Sequence, residues 1–299
     1  MTALSTSSTA PHVVLPASGH AATRPRRPRQ SRYSIGWTLL TIGIAALLLA
    51  PVAWLASMAF KPSDLMFSLP TVWTFTPTLD HFAYVIDSGF LSYLGSSVML
   101  GLASTAMVVV IGTPAAYAFA RYKLKARDDL FLFILATRMG PPICLVIPFY
   151  LIFTQLGLLD TFFGLSLAYL TFNLSFYIWV LSSFCRDLPI ELEEAAMVEG
   201  HSRAAVFVRV VLPLLKSGIV STAMLCFIFA WNEFLFAFML GGQNVKTLPV
   251  AIPLLITAQG VRWGEMAVVG MAALVPVLIA VFFLQKHIVR GLTMGAVKG

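Results

Sequence analysis

The chain has 299 residues, of which 59% are hydrophobic and only 11% charged, with a formal net charge of +7. An ordinary soluble domain carries about 25% charged residues, so this composition excludes a water-soluble globule and implies several apolar helices of about 20 residues each, long enough to cross a bilayer. The three cysteines, Cys144, Cys185 and Cys226, sit in or beside apolar runs and give neither a disulfide framework nor a metal-ligand spacing.

Residues 1–34 are rich in Ser, Thr, Ala, Pro and Arg and read as a disordered basic tail. The apolar run 35–59 exceeds the roughly 7–15 residues of a signal-peptide core, so an uncleaved membrane helix is predicted there. Residues 60–92 hold Pro62, Pro70, Pro77, Asp64, Asp80 and Asp87 and read as a connection with at most short helices. Further spans are predicted over 93–119, 129–152, 163–184, 214–240 and 265–285, followed by a tail over 286–299. Each is long enough to cross at about 1.5 Å per residue. The alternation expected of barrel strands is absent. The fold class is all-α, with six transmembrane helices.

Two spans carry ionisable residues. Arg138 in the third precedes Gly140-Pro141-Pro142, which must break or bend that helix. Glu233 lies in the fifth, within Trp231-Asn232-Glu233-Phe234. A charge at mid-bilayer costs several kcal/mol unless it meets a partner or a wet cavity. Trp231, Asn232 and Glu233 therefore read either as a solute path, with an aromatic face beside amide and carboxylate groups, or as packing between helices. An Arg138–Glu233 ion pair needs tilt or snorkelling, because the two lie at different depths. Asn173 in the fourth span, with Tyr169 and Tyr177 four residues to either side, reads as a second polar stripe or as interhelical glue.

Between the fourth and fifth spans, 186–213 is unusually polar. Asp187 and Pro189 mark a helix start, and Glu191, Glu193 and Glu194 suit its positive end. Gly200 stops that helix, Ser202 caps a second, and Pro213 enters the first turn of the fifth span. Leu192, Ala195, Ala196 and Glu199 are expected to share one face. Such a loop is either a solvated charged segment or an interface.

Lysines and arginines set the orientation. Sixteen lie in the N-terminal tail, the 120–128 loop, the 186–216 region and the C-terminus, against Lys61, Lys246 and Arg262 on the other side. Basic loops stay in the cytoplasm, so both termini and the 186–213 loop are expected inside. The positive charge is spread over four segments, which argues against nucleic-acid binding.

The sequence from Glu194 onward carries a resemblance. Glu194-Ala195-Ala196, three residues, Gly200, nine residues, Val210, one residue, then Leu212-Pro213 resembles the E-A-A-x3-G-x9-I-x-L-P signature of ABC importer permeases, with valine in place of the usual isoleucine. The stretches AAYAFARYKLKARDDL, IPFYLIFTQLGLLDT, FIFAWNEFLFA and RGLTMGAVKG are similar to the maltose-type carbohydrate permeases, and TRMGPP to their sugar-alcohol branch. The resemblance covers about residues 35–299, with 93–285 as the permease core. Glu199 stands where the subfamily often has aspartate, and His201 where it has a small residue.

That resemblance implies a multi-pass inner-membrane permease subunit of an ATP-driven carbohydrate importer, working by alternating access. Glu194, Ala195, Ala196, Gly200, Leu212 and Pro213 would form the coupling helix that docks on a cytoplasmic ATPase. The implied partners are a second homologous permease, two ATPase subunits, an extracytoplasmic solute-binding protein, the carbohydrate and the lipid bilayer. No Gly-Lys dipeptide occurs, so the chain has no Walker A motif. Neither H-E-x-x-H, C-x-x-C nor G-x-S-x-G is present, and no cofactor or metal is expected. The chain reads as a non-enzyme whose ATP is hydrolysed by other subunits. The alternatives are an ion- or proton-coupled secondary transporter using Glu233 and Arg138, and a scaffold without transport.

Overall fold

The first apolar run forms one helix, α1 (Ile35–Phe60), in the computed structural model of the chain, which describes residues 35–122, 125 and 127–295. The tail predicted over 1–34 and positions 296–299 lie outside the described residues. Two compact units divide inside α1, between Leu49 and Ala50. In the described part of the first, the Thr41 hydroxyl donates to the Trp37 carbonyl at 2.8 Å, which satisfies a polar group within an apolar helix.

The second unit holds everything from Ala50. After a single 3-10 turn at Ser63–Leu65 come α2 (Asp80–Asp87) and the long α3 (Phe90–Arg121). The third expected crossing is divided between α4 (Arg127–Met139) and α5 (Pro142–Leu156). Pro141 and Pro142 have no N–H to extend the first helix, and Pro142 instead opens the second, where a missing donor costs nothing. Among the described residues five helices are therefore long and apolar enough to cross a bilayer alone, and Pro142–Leu156 is a shorter apolar one.

The fourth crossing is α6 (Phe162–Asp187), capped by the Thr161 hydroxyl, which accepts from the Gly164 amide at 3.0 Å. Two short helices follow, α7 (Glu191–Val198) and α8 (Arg203–Val206). A π turn at Phe207–Val211 leads into α9 (Leu212–Trp231). The expected fifth span stops early, and its last residues form a separate α10 (Leu235–Leu240). Then come α11 (Leu248–Ala251), a 3-10 turn at Ile252–Leu255 and a two-residue antiparallel ribbon pairing Ile256 with Val261. The last helix, α12, runs Trp263–Gly295, so it continues ten residues beyond the expected span end at 285.

α3 is the spine of this unit. Three buried clusters follow one another along it, around Phe90, Leu100 and Val108 to Tyr117. Lipid-facing helices gain no hydrophobic drive from meeting each other, so close approach through small residues carries the packing. At Gly112 the side chains of Tyr177 and Leu174 on α6 close over the bare backbone. Beside it, the Thr113 hydroxyl and the Tyr177 phenol share a 2.8 Å hydrogen bond. The 60–92 connection is tied to the start of α12 by buried His81, whose ring lies 3.0 Å from the Lys61 carbonyl and 3.6 Å from the Glu265 carboxylate.

Candidate functional site

The loop between α6 and α9 folds as its local signals require. Three acids, Glu191, Glu193 and Glu194, occupy the first turn of α7, at the positive end of the helix. Gly200 has φ +92°, a left-handed value that side chains disfavour. That turn lets the Gly200 amide reach the Met197 carbonyl at 3.0 Å and the His201 amide reach that of Ala196 at 3.2 Å, which closes the helix end. Ser202 then caps α8, its hydroxyl accepting from the Ala205 amide at 3.3 Å. Pro213 cannot donate to the preceding turn and its ring crowds the carbonyl four residues back. The ladder changes register just before it: the Leu212 amide bonds the Phe207 carbonyl, five residues away.

The faces of α7 differ from the expected set. Ala196 is buried, whereas Leu192, Ala195 and Glu199 are exposed, so the predicted four-residue face is split. Ala196 lies one residue too far round the helix and shares its inner face with Glu193, three positions earlier. Glu194 and Gly200 are exposed, Leu212 is half-buried and Pro213 exposed. The outer surface thus shows Ile190, Leu192, Met197 and Val198, the last 89% exposed, among Glu191, Glu194 and Glu199.

Sequence reasoning missed Glu193, which makes the strongest contacts in the loop. Its carboxylate accepts from the Tyr117 hydroxyl and from the Arg121 guanidinium, both at 2.6 Å. Arg121 also donates to the Leu188 carbonyl at 2.8 Å. Tyr117 and Arg121 stand four apart at the end of α3, so they share a face. That spacing is a signal, but nothing in the sequence says which carboxylate answers it.

The polar groups within the membrane are dispersed. The Arg138 guanidinium donates to the Phe172 carbonyl at 3.0 Å and stands over the rings of Phe229 and Phe176, at 4.6 and 5.1 Å from their centroids. Glu233 caps α10, accepting from the Phe236 amide at 3.0 Å. Each is satisfied locally, and among the described residues no ion pair joins them. Asn173 is fully buried, its amide donating to the Cys226 carbonyl at 3.4 Å. Trp231 is buried against α12, where its indole N–H donates to the Ala273 carbonyl at 3.2 Å. Asn232 is exposed beside the α9–α10 break. No group of three metal-ligating side chains is assembled among the described residues.

Residues 108–294 match the family described as the binding-protein-dependent transport system inner membrane component. The chain belongs to that family. The trehalose transport system permease protein SugB of Mycobacterium tuberculosis is 36% identical over 273 residues, 90% of this chain and 99% of that one. The diacetylchitobiose uptake system permease protein DasC of Streptomyces coelicolor is 35% identical over 255 residues, 84% of this chain and 92% of that one. Among solved structures, a bacterial ABC transporter involved in the import of the acidic polysaccharide alginate shares the fold, with TM-score 0.71 and 21% identity, covering 87% of this chain and 99% of that one. The protein is thus a multi-pass inner-membrane permease subunit of an ABC importer, and the ATPase is a separate subunit. Family membership replaces the ion-coupled and scaffold alternatives.

Proposed function

We propose that this permease carries a carbohydrate inward and that α7 and α8 are where the cytoplasmic ATPase docks. The observation that carries the docking is the two-sidedness of α7. Its inner face is fastened by Glu193 and Ala196, while its outer face bares Leu192, Ala195, Met197 and Val198 between acids. An apolar patch with a polar rim, on a short rigid helix, suits a protein partner. The remaining assembly is a second, homologous permease, a pair of ATPase subunits and an extracytoplasmic solute-binding protein. ATP-driven closure of the ATPases moves the loop and, through it, the membrane helices between inward- and outward-open states.

A carbohydrate cargo is supported by the relatives named for trehalose and diacetylchitobiose. Asn232 and Glu233, at the break between α9 and α10, supply amide and carboxylate groups for sugar hydroxyls. Trp231 braces that break against α12, and Asn173 braces α6 against α9. The basic residues orient both termini to the cytoplasm. In a Cys144→Ser background, an impermeant thiol reagent then labels Thr74→Cys and Gln259→Cys from outside, and Glu199→Cys only after permeabilisation.

The docking test uses Gly200→Val and Ala195→Arg. Valine at a left-handed position costs about 1–2 kcal/mol or redirects the chain, and arginine blocks close approach. Both variants should reach the membrane at near-normal levels, transport poorly and release the ATPase on purification. Normal uptake by both variants overturns the docking assignment.

A further inference from the structure

We propose that Glu193, with Tyr117 and Arg121, is the joint that passes movement of the docking loop to α3. The inference rests on the docking role of α7 and goes beyond it, because Glu193 points away from the surface that a partner would cover. Both of its carboxylate oxygens are engaged by α3: the Tyr117 hydroxyl meets Oε2 and the Arg121 Nε meets Oε1, each at 2.6 Å. The ion pair is largely buried, with 11% of the arginine side chain and 8% of the glutamate side chain exposed.

The joint gathers three elements. Arg121 belongs to α3, reaches α7 through Glu193, and donates through Nη2 to the carbonyl of Leu188, the residue that ends α6. The Tyr117 ring packs on Phe207 of the π turn, with centroids 5.0 Å apart. Ala196 is buried in the same cluster, one turn beyond Glu193. A force applied to the outer face of α7 therefore reaches α3 through two short, charge-assisted bonds held out of water, where such bonds are strongest and least free to exchange. α3 in turn packs on α6 and α9, so it can spread the motion across the unit. Glu193 and Glu194, adjacent in sequence, divide the work: Glu194 faces the partner and Glu193 faces the spans.

The test is Glu193→Gln in the complete transporter, with both permeases, the ATPases and the binding protein. Glutamine keeps the size and one acceptor but removes the charge. Membrane level and ATPase co-purification should stay within about twofold of wild type, while uptake falls about tenfold or more and hydrolysis loses its dependence on solute-loaded binding protein. A second readout is the distance between spin labels at Ala204→Cys and Ile111→Cys. In the native joint it should be narrow and unchanged on trapping nucleotide; in Glu193→Gln it should broaden and shift. Uptake and label distance that both remain as in wild type overturn the joint, even where Ala195→Arg still abolishes docking. Loss of the ATPase from Glu193→Gln also overturns it, since that assigns Glu193 to the docking surface. Should Glu193→Gln fail to reach the membrane, Tyr117→Phe decides: weakened coupling with intact assembly supports the joint, and wild-type coupling overturns it.

Discussion

Two carboxylates flank α6, and they hold their loops by different chemistry. Glu193 follows the helix and is gripped by side chains, Tyr117 and Arg121, that lie more than seventy residues earlier. Asp160 precedes the helix and is gripped by main chain. Its oxygens accept from the amides of Gln243, Asn244 and Val245 at 2.9 to 3.2 Å, and from the Asn244 side chain at 3.0 Å. Asp160 also has φ 56°, a left-handed value that aspartate tolerates better than most residues. The first grip depends on the identity of both partners. The second depends mainly on Asp160 itself, helped by the Asn244 side chain and the bare backbone of Gly242, since at Gln243 and Val245 any non-proline residue brings an amide to the nest.

The largest effect should come from orphaning the buried charge. Arg121→Met leaves Glu193 inside the protein with neither cation nor guanidinium donor, which costs about 3–5 kcal/mol, whereas in Glu193→Gln the arginine keeps the Leu188 carbonyl and a glutamine acceptor. Membrane abundance and thermal stability in detergent should both fall. The triple change Tyr117→Phe, Arg121→Met and Glu193→Leu replaces the whole cluster by apolar groups of similar bulk, so stability should largely return. Uptake should not, because the connection from α7 to α3 is gone. A triple variant that transports normally reduces the cluster to packing.

At the other end, Asp160→Asn should cost about 1–2 kcal/mol, the worth of charge-assisted bonds replaced by weaker ones. The measurement is hydrogen exchange: the amides of Gln243, Asn244 and Val245 should exchange faster, with those of α7 unchanged. Gln243→Ala should leave exchange nearly as it was, because the exposed Gln243 contributes to the nest only an amide that alanine retains. Gly242→Val should act like Asp160→Asn, since a Cβ there lies only 2.7 Å from the Asp160 carboxylate. Faster exchange at α7 in any of these variants breaks the independence of the two grips.

The same contrast explains what the sequence could reveal. Membrane helices were legible because bilayer thickness sets a length, and five of the expected runs are single helices or nearly so. Gly200 and Ser202 were legible because capping is decided within a few residues. So was the break after Arg138, because two prolines enforce it. Glu193 was not legible: its neighbour Glu194 fits the motif, and burial depends on which side of α7 meets α3. The Arg138–Glu233 pairing failed for a related reason. Each residue found a nearer partner, Arg138 a carbonyl and two rings, Glu233 the amide end of α10. Periodicity and capping are local, whereas partners are chosen by the packed fold.

The smallest predicted effect is one of pH, and it concerns Asp160. Burial works to raise its pKa, but the main-chain bonds from Asn244, Val245, Gln243 and Gly242 outweigh it and hold the carboxyl below its usual range. A native pKa lower than the unfolded one means that the opened loop binds a proton more readily than the closed loop. The stabilisation is therefore complete above the unfolded carboxylate value of about 3.9 and is lost as pH falls through the lower native value. Exchange of the Gln243 to Val245 amides, corrected for intrinsic rates, should show the same protection from pH 8 to about 5 and lose it only in stronger acid. Asp160→Asn has no proton to bind, so its protection should be lower at neutral pH and flat across the range. The two curves should converge at the acid end. Convergence near neutral pH would mean that the carboxylate charge contributes nothing there, and that the nest holds the loop through its shape alone.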